Sequence, residues 1–155
     1  MTPELWLTAA ALVTVIALAT YAASLLQKGT FKKSVEALGL KVADTEKAMG
    51  IYRKFPVELF SRYRYPSAHS NRLICRVRLF EPATGGPLSD ASRAAIARFL
   101  ESHRHECFLR NDSLEFEMGI SPAGPLPRHI EKLVPESVNE AWLILKSATG
   151  HDLWG

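Results

Sequence analysis

The sequence predicts an α+β fold: a small antiparallel sheet of about five strands with helices packed on one face, behind an N-terminal transmembrane helix. Three observations predict it. The stretch Leu5–Leu26 holds no charged residue. Leu73, Cys75, Val77 and Leu79 alternate with Arg72, Arg76 and Arg78, the period-two pattern of a half-buried antiparallel strand. Val138, Ala141, Trp142 and Leu145 recur at helical spacing near the C-terminus, as one apolar stripe of a packed helix does.

The uncharged run reads LWLTAAALVTVIALATYAASLL. At about 1.5 Å per residue it spans roughly 33 Å, enough to cross a hydrocarbon core of about 30 Å. A secretory signal peptide would need a basic start and an apolar core of about 7–15 residues. The leading MTPE holds no Lys or Arg, and no Cys for lipidation lies near the end of the run. All 19 Lys and Arg residues follow position 27, which places Met1 outside and the rest in the cytosol by the positive-inside rule. The expected location is a single-pass membrane protein, in a bacterial inner membrane. Lys28, Lys32 and Lys33 form a membrane-proximal basic group, each worth about 1 kcal/mol near an anionic leaflet. Ala10, Thr14, Ala17, Tyr21 and Ser24 share one helical face, and small residues there let helices approach closely. That face suits another membrane protein, or self-association through the transmembrane helix.

Residues 1–27 are thus expected to be the anchor, 28–48 a juxtamembrane helix and linker, 49–150 a cytosolic α+β domain, and 151–155 a tail. After residue 27 there remain 19 basic and 15 acidic residues, a net charge of +4. So mild a surplus names no nucleic-acid partner. Two cysteines in a chain of this size read as reduced thiols in a cytosolic domain.

Within that layout, Thr30 is a candidate cap for a helix from Phe31 to Leu38, stopped by Gly39. Gly50–Phe55 reads as a short strand broken by Pro56, and Val57–Tyr65 as its continuation. Arg72–Phe80 is the alternating strand. Ser89 is placed to cap a helix carrying Ile96, Phe99, Leu100 and His103 on one stripe. Glu106–Arg110 and Leu114–Ile120 form a hairpin around Asn111-Asp112. The last helix ends at Gly150 and either opens at Pro135 or begins near Arg128 and is kinked there. The repeated order of strands then helix hints at a duplicated arrangement.

Two constellations carry chemistry. The segment Tyr52–Phe80 sets seven basic residues against the single acid Glu58. Arg62, Arg64, Arg76 and Arg78 would face outward together, and like charges across a sheet need compensation. An anionic surface, such as lipid headgroups or an acidic partner, would supply it. So would Glu115 and Glu117, if their strand is the neighbour, at roughly 0.2–1 kcal/mol per pair. Phe60, Tyr63 and Tyr65 interleave with the arginines as base-stacking platforms do, an option the anchor disfavours. The second constellation is His103, His105 and Cys107 at alternate positions, donors suited to zinc, with His69 and Cys75 as distant fourth ligands. His103 equally continues the helix stripe and Cys107 opens a core strand, and no CxxC or HExxH spacing supports a metal.

No phosphate loop, nucleophile elbow or paired-carboxylate motif is present, so no cofactor and no catalytic residue are assigned. The chain reads as a membrane-anchored accessory or scaffolding protein that binds a membrane complex. The alternative is a recognition module for anionic lipid headgroups or another polyanion. A thiol- or metal-dependent enzyme ranks third. The terminal Leu153 and Trp154 would serve as a docking handle or fold back on the core.

Overall fold

The computed structural model describes residues 3–44, 47–63, 71–103, 105–121 and 129–151. It is an α+β structure with a six-stranded antiparallel sheet, and among the described residues three helices. In chain order these are α1 (Pro3–Ala37), β1 (Lys41–Asp44), β2 (Lys47–Tyr52), β3 (Phe55–Tyr63) and β4 (Asn71–Arg78). There follow α2 (Asp90–His103), β5 (Cys107–Arg110), β6 (Ser113–Ser121) and α3 (Ile130–Thr149). The sheet order is β1-β2-β3-β4-β6-β5. Four strands meander, and the β5–β6 hairpin then adds to β4 through β6. Four strands against two is not the duplicated arrangement that the element order hinted at.

One face of the sheet is the core. Ala48, Leu59, Cys75, Phe116 and Cys107 form a single cross-strand row, and all five are buried. Ile96 of α2 and Val134, Val138, Ala141, Ile144 and Leu145 of α3 pack into the same cluster. The stripe at 138, 141 and 145 thus does what its spacing implied. Ser89 caps α2, its Oγ accepting the Ser92 backbone N–H at 3.1 Å. Gly150 closes α3 at φ 72° with its N–H on the Lys146 carbonyl, a conformation that favours glycine. α3 begins well before Pro135, which lies inside it.

Three local expectations are corrected. Thr30 does not cap a new helix; it lies inside α1, its hydroxyl donating to the Leu26 carbonyl at 2.9 Å. Nothing between Leu26 and Phe31 forbids helix, so α1 passes residue 27 unbroken and reaches the domain, where Phe31 and Val35 are buried. Gly50–Phe55 is not one strand. Arg53 and Lys54, at φ 46° and 72°, form the two-residue turn of a β2–β3 hairpin closed by the Tyr52–Phe55 pair. Both signs fit a type I′ turn, whose twist matches the flanking strands. Pro56 then sits within β3 opposite Ile51 rather than ending a strand. The stretch before Gly50, expected to be a linker, supplies β1 and the start of β2.

Among the described residues no helix is long and apolar enough to cross a membrane, so the expected transmembrane segment at Leu5–Leu26 is unsupported.

Candidate interaction face

Helices cover one side of the sheet, and the other is open among the described residues. Its side chains follow from the register. Met49, Glu58, Arg76, Glu115 and Phe108 form one continuous row across β2, β3, β4, β6 and β5. The next row is Lys47, Phe60, Ile74 and Glu117. Arg62 lies opposite Arg72.

Glu115 is the hub of this face. It is only 1% exposed because three guanidiniums close over it. Arg62 Nη2 donates to both carboxylate oxygens at 3.1 and 2.9 Å. Arg76 donates through Nε at 3.1 Å and Nη2 at 2.8 Å. Arg110 Nε stands 3.2 Å away. Burial alone would raise the Glu115 pKa, but the hydrogen bonds and charges of Arg76 and Arg62 more than offset it and hold the carboxyl below its ordinary value. Glu58 behaves alike: burial raises its pKa, and Lys47 and Arg76 lower it further than that. Lys47 sits 2.8 Å from Glu58, and Arg76 Nη1 donates to it at 2.6 Å. The Arg76 guanidinium also lies 4.5 Å from the centre of the Phe60 ring, a cation–π stack. The result is an alternating ladder, Lys47–Glu58–Arg76–Glu115–Arg110, that links β2 to β5 side chain by side chain.

The outward arginines therefore behave differently from one another. Arg62 and Arg76 converge, but on Glu115 rather than on each other, and Glu58 is the direct partner of Arg76. Arg72 pairs with Glu117. Arg78 is exposed and stacks on Phe80 at 5.9 Å. Arg64, Tyr65 and His69 lie outside the described residues. On the open face seven cations (Lys41, Lys47, Arg62, Arg72, Arg76, Arg78 and Arg110) meet four carboxylates (Asp44, Glu58, Glu115 and Glu117) among the described residues. Apolar side chains flank the charges at both ends: Met49 and Ile51 on β2, Phe108 on β5, all exposed. These three, with Arg110, were not singled out from the sequence, whereas Arg72 was read there as outward-facing. Their signal, an apolar residue on the polar side of an alternating strand, is weak in β2 and β5 because both strands are short.

The histidine–cysteine constellation is dispersed. His103 ends α2 and Cys107 opens β5, so the three residues do not line one strand. The rings of His103 and His105 stack on Phe99, with centroids 4.1 and 5.5 Å away. His105 Nδ1 lies 3.2 Å from Glu140. Among the described residues no group of three His, Cys, Asp or Glu side chains could hold a metal ion. Cys75 and Cys107 are buried free thiols. Burial pushes each pKa up to about 12, where the nucleophilic thiolate is scarce.

In α1, Ala10, Thr14, Ala17 and Tyr21 are exposed on one side, whereas the side chain of Ser24 lies outside the described ones. Thr14 donates to the Ala10 carbonyl at 2.8 Å, and Thr20 to those of Ile16 and Ala17 at 3.0 and 2.9 Å. Lys32 and Lys33 are exposed, Lys32 lying 3.8 Å from Glu36 one turn on; the Lys28 side chain is outside the described set. Of the tail, residues 152–155 are likewise outside it. Comparison with protein-family models, curated proteins and solved structures finds no match to the chain.

Proposed function

We propose that this chain is a membrane-anchored, non-catalytic interaction protein: α1 crosses the bilayer, and the cytosolic domain presents the open sheet face to a protein partner in a membrane complex. The observation that carries the reading is the surface of α1. Trp6, Leu12, Val13, Val15, Ile16 and Leu18 are each more than half exposed, and among the described side chains the first that the domain buries is Phe31. So long an apolar surface exceeds the few hundred Å² that soluble monomers leave in water. Two of the hydroxyls within it need no water either. The hydroxyls of Thr14 and Thr20 return to their own backbone, as side chains within a bilayer must. The helical backbone is continuous from Pro3 to Ala37, while the sequence is uncharged from Leu5 to Leu26. The exposed face bearing Ala10, Thr14, Ala17 and Tyr21 offers a second contact, helix to helix, within the same membrane. Washing membranes with alkaline carbonate tests the anchor. The chain is expected to stay in the pellet, and a Val13→Lys/Ile16→Lys variant to be released. Recovery of the unaltered chain in the supernatant would refute the reading.

A second reading is favoured by one observation, the excess of three cations on the open face. It is an anionic lipid surface bound through Arg78, with Arg76 beside it and Arg62 farther along the same face. A nitroxide attached at position 78 of the full chain in nanodiscs reports it. Contact with a bilayer-dissolved relaxing agent in acidic but not neutral lipid, reversed by salt, would favour lipid over protein. Equal exposure in both lipids would dismiss it.

A further inference from the structure

The edges of the sheet are unequal. β1 carries Lys41 and a register irregularity between Val42 and Asp44, two devices that blunt an exposed edge. β5 is regular over all four of its pairs with β6, and its Phe108 is 55% exposed. Among the described residues no strand pairs with its outer side.

Which backbone groups β5 offers follows from the ladder. Antiparallel pairs alternate between hydrogen-bonded and non-hydrogen-bonded, and a two-residue primed turn is closed by a hydrogen-bonded pair. Arg110 and Ser113 close the Asn111-Asp112 loop, with Asn111 at φ 52°. Phe108 and Arg110 therefore point their N–H and C=O groups toward β6, and Cys107 and Leu109 point theirs outward. Counting from the other hairpin gives the same result: the alternation that starts at Tyr52–Phe55 passes through Glu58–Arg76 in β3–β4 and Cys75–Phe116 in β4–β6 to Phe108–Glu115.

We infer that β5 is a homodimer interface, in which two copies of this chain join edge to edge about a two-fold axis through Phe108. The outward groups allow antiparallel self-pairing about residue 107, 108 or 109. Only the middle register sets Cys107 against Leu109 of the second copy, so that all four outward groups are hydrogen-bonded in reciprocal pairs. The same register stacks Phe108 on Phe108 and sets Glu106 across from Arg110, twice by symmetry. Registers centred on 107 or 109 instead put Glu106 against Phe108, or Glu106 against Asp112. The sequence Glu106-Cys107-Phe108-Leu109-Arg110 is thus self-complementary in charge, as an isologous contact requires. Pairing would fuse two six-stranded sheets into one, and Arg110, already beside Glu115, would gain a second carboxylate.

Register-specific disulfide trapping on the full chain tests this, and its readout does not depend on whether α1 lies in a bilayer. Directly opposite residues of a non-hydrogen-bonded pair have Cα atoms about 4.5 Å apart, within disulfide range, and the native thiols are buried. Under mild oxidant, Phe108→Cys is expected to form a covalent dimer. Glu106→Cys and Arg110→Cys should crosslink when mixed but not singly. Adding Glu106→Lys to Phe108→Cys, which sets Lys against Arg110, should slow dimer formation about tenfold. Thermal unfolding near that of the unaltered chain checks that each variant is folded. A folded Phe108→Cys variant that stays monomeric, or equal crosslinking by all three single variants, would overturn the interface.

Discussion

Replacing Glu115 by Gln removes one charge from beneath three guanidiniums. The carboxylate is 1% exposed and accepts four hydrogen bonds from Arg62 and Arg76. Hydrogen bonds to charged groups contribute about 1.5–3 kcal/mol each when buried. Here the donors Arg62 and Arg76 are each 34% exposed, so water recovers part of that loss, and Gln keeps one acceptor oxygen. Three cations are left facing one another, a repulsion that solvent screens only in part. The balance is a loss of about 3 kcal/mol, below the upper end of the roughly 3–5 kcal/mol for breaking a buried ion pair. At about 2–4 °C per kcal/mol for a chain of this size, Tm should fall by about 10 °C, measured by circular dichroism on the full chain in detergent. Glu117→Gln is the internal control. It breaks one partly exposed pair with Arg72 and should cost no more than about 1 kcal/mol. If Glu115→Gln changes stability by less than Glu117→Gln does, the hub assignment is wrong.

Three other outcomes follow from the same geometry. Glu115 and Glu58 have folded pKa values below their ordinary 4.5, so the unfolded state binds more protons in that window. Their stabilisation is complete above pH 4.5 and lost as pH falls through the folded values; urea midpoints should drop there, less steeply in Glu115→Gln. Arg53→Asn/Lys54→Gly places the preferred residues in the left-handed turn between β2 and β3, and should stabilise by about 1–2 kcal/mol in equilibrium unfolding. A lower Tm would contradict the type I′ assignment. With thiol pKa values of about 12, Cys75 and Cys107 should react with a disulfide reagent at pH 8 only as the protein unfolds; prompt reaction of the folded chain would revive a thiol chemistry.

What the sequence made legible divides along physical lines. β4, β6 and α3 were readable because each buries one full face against the core, so composition must alternate at the matching period. Ser89 was readable because a cap is a local device. The β2–β3 turn was not: Arg53 and Lys54 adopt left-handed backbone that glycine or asparagine usually marks, and tertiary pairing imposes it on them. β1 was hidden because all four of its residues are exposed, leaving no alternation to read. The candidate face was half legible. The excess of arginine was plain, and Glu115 was a named possible partner of Arg76. The choice of Arg62 and Arg110 as further partners depends on strand order and register, which no single segment encodes.

The anchor is the central claim, and labelling intact cells with a membrane-impermeant maleimide tests it most directly. One variant carries Thr2→Cys, before the uncharged run; the other carries Glu101→Cys, on the exposed surface of α2. A helix that crosses with Met1 outside predicts labelling at position 2 in intact cells, and at position 101 only after the membrane is opened. Both positions reacting alike before permeabilisation would contradict it.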